Sequence, residues 1–77
     1  MIKVLLFAHL QEEAGSNEVE LELDGMTVSH LKRELQQRYQ LSEMDQVMVA
    51  INEEYALDED KVKNGDIVAL IPPVSGG

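Results

Sequence analysis

The chain has 77 residues and no cysteine, which bounds it to one small, thin-cored domain and removes disulfides, thiolate metal sites and a cysteine nucleophile together. Six Lys and Arg against 15 Asp and Glu give a formal charge of -9. The surface therefore lacks the cations a nucleic-acid binder sets against phosphate, and no apolar run approaches the roughly 20 residues of a membrane span. The expectation is a cytoplasmic protein with no leader peptide, no nucleic-acid partner and no membrane partner.

Ile2–Ala8 is a nearly continuous apolar run and predicts a central strand. If Ile2, Val4 and Leu6 face a core, Leu5 and Phe7 face away from it. His9–Gly15 predicts one or two helical turns closed by a glycine cap. Glu18–Leu23 alternates strictly, with Val19, Leu21 and Leu23 on one face and Glu18, Glu20 and Glu22 on the other. That is a half-buried strand, and its carboxylates discourage edge-to-edge pairing. Asp24-Gly25 is a turn, after which Thr27 caps a helix over Val28–Tyr39. Val28, Leu31, Leu35 and Tyr39 form its apolar stripe, and Glu34 and Arg38 pair on the wet side. Gln46–Ile51 predicts a strand, Asn52-Glu53-Glu54 a turn and Tyr55-Ala56-Leu57 a short strand. Lys63-Asn64-Gly65-Asp66 is a strong turn, and Asp66–Ile71 is a last strand apolar on both faces and hence central.

One main helix must then pack on one face of a mixed sheet of about five strands, with the first and last strands side by side in the middle. The pattern gives the α+β class, and the arrangement resembles the ubiquitin-like, or β-grasp, architecture. It divides the chain into a domain over 1–71 and an extended tail over 72–77. No side-chain constellation offers chemistry. His9 and His30 share no ligand cluster, Asp58-Glu59-Asp60 lacks the spacing and glycine of a calcium loop, and no phosphate-cradling glycine loop exists. No metal and no cofactor bound by this chain is expected. What remains is the terminus, Pro72-Pro73-Val74-Ser75-Gly76-Gly77.

That ending, with Asn64-Gly65-Asp66 and the apolar strand before it, resembles the small, sulfur-carrying subunit of molybdopterin synthase. Lys3-Val4-Leu5-Leu6-Phe7-Ala8, the short helix over Leu10–Gly15, Thr27-Val28 and Ala50-Ile51-Asn52 fit the same family, so the likeness spans the chain. One departure is Gln11, where family members often carry Arg, so no ionic contact to the partner is expected at that place. The resemblance implies that the carboxylate of Gly77 is the reactive group. An ATP- and Mg2+-using activating enzyme adenylates it, and a sulfur donor displaces AMP to leave a thiocarboxylate. The large catalytic subunit, in a heterotetramer, then takes the sulfur into a cyclic pyranopterin precursor to build the dithiolene. The carrier is not an enzyme by itself.

Glycine suits such a terminus because it leaves the acyl carbon unhindered and lets backbone approach backbone. Pro72 and Pro73 restrict the base of the tail to extended geometry. The six residues Pro72, Pro73, Val74, Ser75, Gly76 and Gly77 span at most about 20 Å. Leu5 and Phe7, extended by Leu70 or Ile71 beside the tail root, are the expected docking patch. The alternatives are a carrier for thiazole or tRNA thiolation, a modifier conjugated to lysines through Gly77, and an interaction module with an incidental tail.

Overall fold

The computed structural model describes residues 1–22, 24–42 and 44–73. In chain order its elements are β1 (Ile2–Leu6), α1 (His9–Ala14), β2 (Glu18–Leu21), β3 (Met26–Thr27), α2 (Val28–Tyr39), a 3-10 turn (Met44–Gln46), β4 (Met48–Ile51), β5 (Glu54–Ala56), β6 (Lys61–Val62) and β7 (Ile67–Ile71). Five strands form one mixed sheet in the order β2-β1-β7-β4-β5, and β3 pairs with β6 in a separate two-stranded sheet. The first and last long strands lie side by side and parallel at the centre, with Lys3 opposite Ile67 and Leu6 opposite Leu70. The central position expected for β1 and β7 from their apolar character is therefore the observed one.

The period-2 pattern of each strand sends alternate side chains to one core. Ile2, Val4 and Leu6 of β1, Val19 and Leu21 of β2, and Val68 and Leu70 of β7 are buried against Val28, Leu31 and Leu35 of α2. Tyr39, the last member of the helical stripe, is half-buried against the same cluster. Helix α2 starts where the sequence places it, because its first amide groups are satisfied. The Thr27 hydroxyl accepts from the His30 N–H at 3.2 Å. Val28 N–H and Ser29 N–H donate to the carbonyls of Asp60 and Asp58, at 2.8 and 3.0 Å. The carbonyls come from the chain entering β6, so the small sheet and the helix start are built together. The 26–27 and 61–62 pairing has no alternating run long enough to signal it in sequence.

Several boundaries differ from expectation, each for a local reason. β1 ends at Leu6, because Ala8 adopts φ 52°, ψ -131° and turns the chain into α1. β2 ends at Leu21, and Leu23 lies outside the described residues. β4 begins at Met48 because Met44–Gln46 winds into a 3-10 turn that buries Met44. The β4–β5 hairpin turns on two residues, Asn52 and Glu53, both at positive φ, so β5 starts at Glu54 opposite Ile51. Asn52 suits that position, and its side chain also ties the start of β7 by accepting from Ile67 N–H and donating to Asp66, both at 3.0 Å.

Helix α1 is six residues long, too short to be stable alone. Leu10 plugs it into the core at 0% exposure, and Gly15, at φ 77°, closes it with an N–H bond to Gln11 O. Its outer side is clamped by Glu13, whose carboxylate accepts from the Ser42 hydroxyl at 2.7 Å and the Ser42 N–H at 2.9 Å. The hydroxyl bond first, then the amide bond, holds the Glu13 carboxyl below its ordinary value of 4.5, with nearby His9 adding to the effect and desolvation opposing it. A lowered folded-state value means the clamp contributes its full stability above pH 4.5 and loses it as the pH falls below that point through the folded value. Ser42→Ala is expected to move Glu13 back toward 4.5. Its thermal stability is expected to fall short of wild type near neutrality and to converge with it in acid. Carboxyl NMR titration with melts across the acid range checks both.

Candidate functional site

The side of the sheet opposite α2 is where the alternation leaves residues without a core. The register brings them together. Leu5 of β1 lies opposite Ala69 of β7, and Ala69 lies opposite Ala50 of β4. Ala50 in turn pairs with Tyr55 of β5, and Ile71 of β7 pairs with Met48 of β4. The result is an apolar field running across four strands. Tyr55 is 71% exposed, Met48 51%, Ile67 45%, and Phe7, just past the end of β1, 43%. Leu5, Ala69 and Ile71 are half-buried within it. So much large apolar surface on so small a domain is more than scattered exposure and makes this side the candidate docking face.

The tail root sits at one end of this field. β7 stops at Ile71, Pro72 is half-buried and Pro73 is exposed. Because β7 is central, the chain leaves the sheet between the end of β1, where Phe7 lies, and the start of β4, where Met48 lies. Val74, Ser75, Gly76 and Gly77, the expected reactive segment, lie outside the described residues. At the other end of the field a cavity of about 380 Å³ is lined by Leu5, Asn52, Glu53, Ile67 and Ala69. Charge surrounds the apolar centre. Glu18 and Glu20 of β2 stand exposed beside β1, Glu53 stands at the hairpin turn, and Lys3 is held by Glu18 at 3.7 Å. The face presents an apolar centre with an acidic flank.

Three of the four expected docking residues, Leu5, Phe7 and Ile71, take part in this surface. Leu70 does not. It is 0% exposed and points with Val68 into the core under α2, because neighbouring residues of a strand face opposite sides. Ala69 and Ile71 occupy the outer side instead. Met48, Tyr55 and Ile67 were not expected. Met48 falls out of phase with Val47, Val49 and Ile51, and that parity was the available signal. Tyr55 needs the hairpin register to be placed.

The two histidines stay apart from this face. The His9 ring lies 3.3 Å from the Ser42 carbonyl, and the His30 amide serves the Thr27 cap. Among the described residues no group of three or more His, Asp or Glu is placed to hold a metal ion, and no helix is long and apolar enough to cross a membrane.

A mixed five-strand sheet with parallel central strands, one long helix across it and a Pro-Pro segment leaving the central strand defines a ubiquitin-like β-grasp protein. Solved structures of this class superpose on it. A putative molybdopterin converting factor subunit 1 from Pyrococcus furiosus does so with a TM-score of 0.80 at 32% identity, covering 95% of this chain and 97% of that one. SAMP1 from Haloferax volcanii gives 0.81 at 32% identity, over 99% and 98%. The chain belongs to the ThiS family, which matches residues 4–77. It is similar to the molybdopterin synthase sulfur carrier subunit of Chlamydomonas reinhardtii, with 43% identity over 99% of this chain and 98% of that one. The subunit of the same name from Escherichia coli is 35% identical over the whole of both chains.

Proposed function

We propose that this chain is the sulfur-carrying subunit of a molybdopterin synthase and that the carboxyl carbon of Gly77 is its working atom. In this reading a carboxylate oxygen of Gly77 attacks the α-phosphorus of ATP on an activating enzyme, and pyrophosphate leaves. Sulfur from a donor then displaces AMP, leaving a C-terminal thiocarboxylate. The large subunit's active site receives the tail, and the sulfur passes to a cyclic pyranopterin monophosphate to become part of the dithiolene. Catalytic side chains belong to the large subunit, and the carrier shuttles between its two partners.

The observation that carries the reading is the apolar field at the tail root. A carrier must be gripped so that its last residue enters a partner's site in register. A field of Leu5, Phe7, Met48, Ala69 and Ile71 beside the exit of Pro72 supplies that grip. The acidic flank matches it to a partner with a basic rim and speeds the encounter. The sequence relatives named as molybdopterin synthase sulfur carriers favour this route over thiazole or tRNA thiolation. Phe7→Ala is expected to weaken large-subunit binding by about tenfold or more, with the melting temperature unchanged. Titration calorimetry with the large subunit measures it, and equal affinity removes Phe7 from the docking face.

A second reading has a specific support. The H. volcanii small archaeal modifier protein 1 is 31% identical and superposes with a TM-score of 0.80. Conjugation to lysines through Gly77 would use the same activation. Mass spectrometry of the chain after incubation with an activating enzyme, ATP and a sulfur source separates the two. Exchange of one oxygen for sulfur on free carrier supports sulfur transfer. Isopeptide-linked products without that exchange support the modifier.

A further inference from the structure

The chain between β1 and α1 makes an unfavourable turn. Phe7 O accepts from Leu10 N–H at 3.1 Å, and Ala8 adopts φ 52°, ψ -131°. This is the first central position of a type II′ turn, which glycine dominates because a Cβ is strained there. Here the residue is Ala. Such a conformation persists only where its surroundings over-determine it. One restraint is the Gln11 side chain, whose Nε2 donates back to the Leu6 carbonyl at 3.0 Å. Gln11 N–H also donates to Ala8 O at 3.1 Å. Residue 11 thus grips the turn on both sides of Phe7, the exposed aromatic beside the tail root.

We propose that Gln11 is a positioning residue for docking, which holds the strained Ala8 turn and thereby presents Phe7 to the large subunit. The inference rests on the docking reading given above. Gln11 acts through Phe7 rather than by touching the partner. Its amide is engaged within the chain, at the carbonyl left over where β1 stops pairing.

The test measures affinity for the large subunit by titration calorimetry, with a melt of every variant. Gln11→Ala is expected to bind about two- to tenfold more weakly, the worth of one lost hydrogen bond, with little change in melting temperature. Gln11→Glu, which keeps the length but cannot donate to Leu6 O, is expected to match it and serves if the alanine variant folds poorly. Ala8→Gly relieves the strain, so the turn no longer needs the clamp. Added to Gln11→Ala, it is expected to restore affinity to within about twofold of wild type. On a Phe7→Ala background Gln11→Ala is expected to cost nothing further. The proposal is overturned if Gln11→Ala binds like wild type, if Ala8→Gly fails to rescue it, or if the Phe7 and Gln11 losses add, which would place Gln11 in the interface itself. Failure of the wild-type chain to bind the large subunit would instead overturn the docking reading and this inference with it.

Discussion

A chain lacking Gly76 and Gly77 is expected to support no molybdopterin formation when combined with an activating enzyme, a sulfur source, the large subunit and the pterin precursor. Its melting curve is expected to overlay that of the full chain. The two halves of this result come from different physics. Every buried hydrophobic residue described lies between Ile2 and Leu70, so the loss removes none of the described core side chains. Removing the glycines leaves Ser75 as the terminus. Its side chain crowds the acyl carbon, and the tail is shorter by two residues, about 7 Å of reach. A site that needs near-attack geometry loses orders of magnitude from misplacements much smaller than that. Product formation by the truncated chain, with the full chain active in parallel, would remove Gly77 from the chemistry.

Leu70→Ala is expected to produce the opposite pattern, a large loss of stability. Leu70 is 0% exposed in the central strand, between Leu6 of β1 and Val49 of β4, with α2 over it. Truncating a buried Leu costs about 2–5 kcal/mol, from lost burial and the cavity left behind. Small domains have total stabilities near the lower end of about 5–15 kcal/mol, so a large fraction of the fold's stability goes with it. Ile71→Ala, one residue on and half-buried on the other face, is expected to cost much less. Denaturant midpoints for the two variants check this, and equal midpoints would contradict the burial of Leu70.

The contrast between Leu70 and Ile71 shows where reading the sequence alone reached its limit. The apolar character of Asp66–Ile71 was plain and made the strand central. A strand apolar on both sides carries no alternation, however, so nothing local says which parity faces the helix. Pairing with β1 decides it, since Leu6 opposes Leu70. In β1 the parity was likewise left conditional, and the burial of Ile2, Val4 and Leu6 under α2 settles it. Helix α2 was legible end to end, because its cap, its stripe and its Glu34–Arg38 pair are all contacts within a few residues. The two short strands Met26–Thr27 and Lys61–Val62 were not, because two residues carry no period and their pairing joins segments far apart in the chain.

For the site the division is the same. The sequence by itself carried the family and singled out the Gly-Gly end as the expected reactive group. A cysteine-free, acidic chain ending in Pro-Pro-Val-Ser-Gly-Gly carries that information covalently, in residue types and order. It also tied Leu5 and Phe7 to one side of the first strand, opposite Ile2, Val4 and Leu6, and the burial of those three then set that side away from the core. Only the tertiary structure assembled Met48, Tyr55, Ile67 and Ala69 with them into one face, excluded Leu70 from it, and set the tail exit at its margin. The reason is physical. A docking surface is a property of strand register and order, and those are fixed by long-range pairing around a shared core rather than by neighbours in the chain.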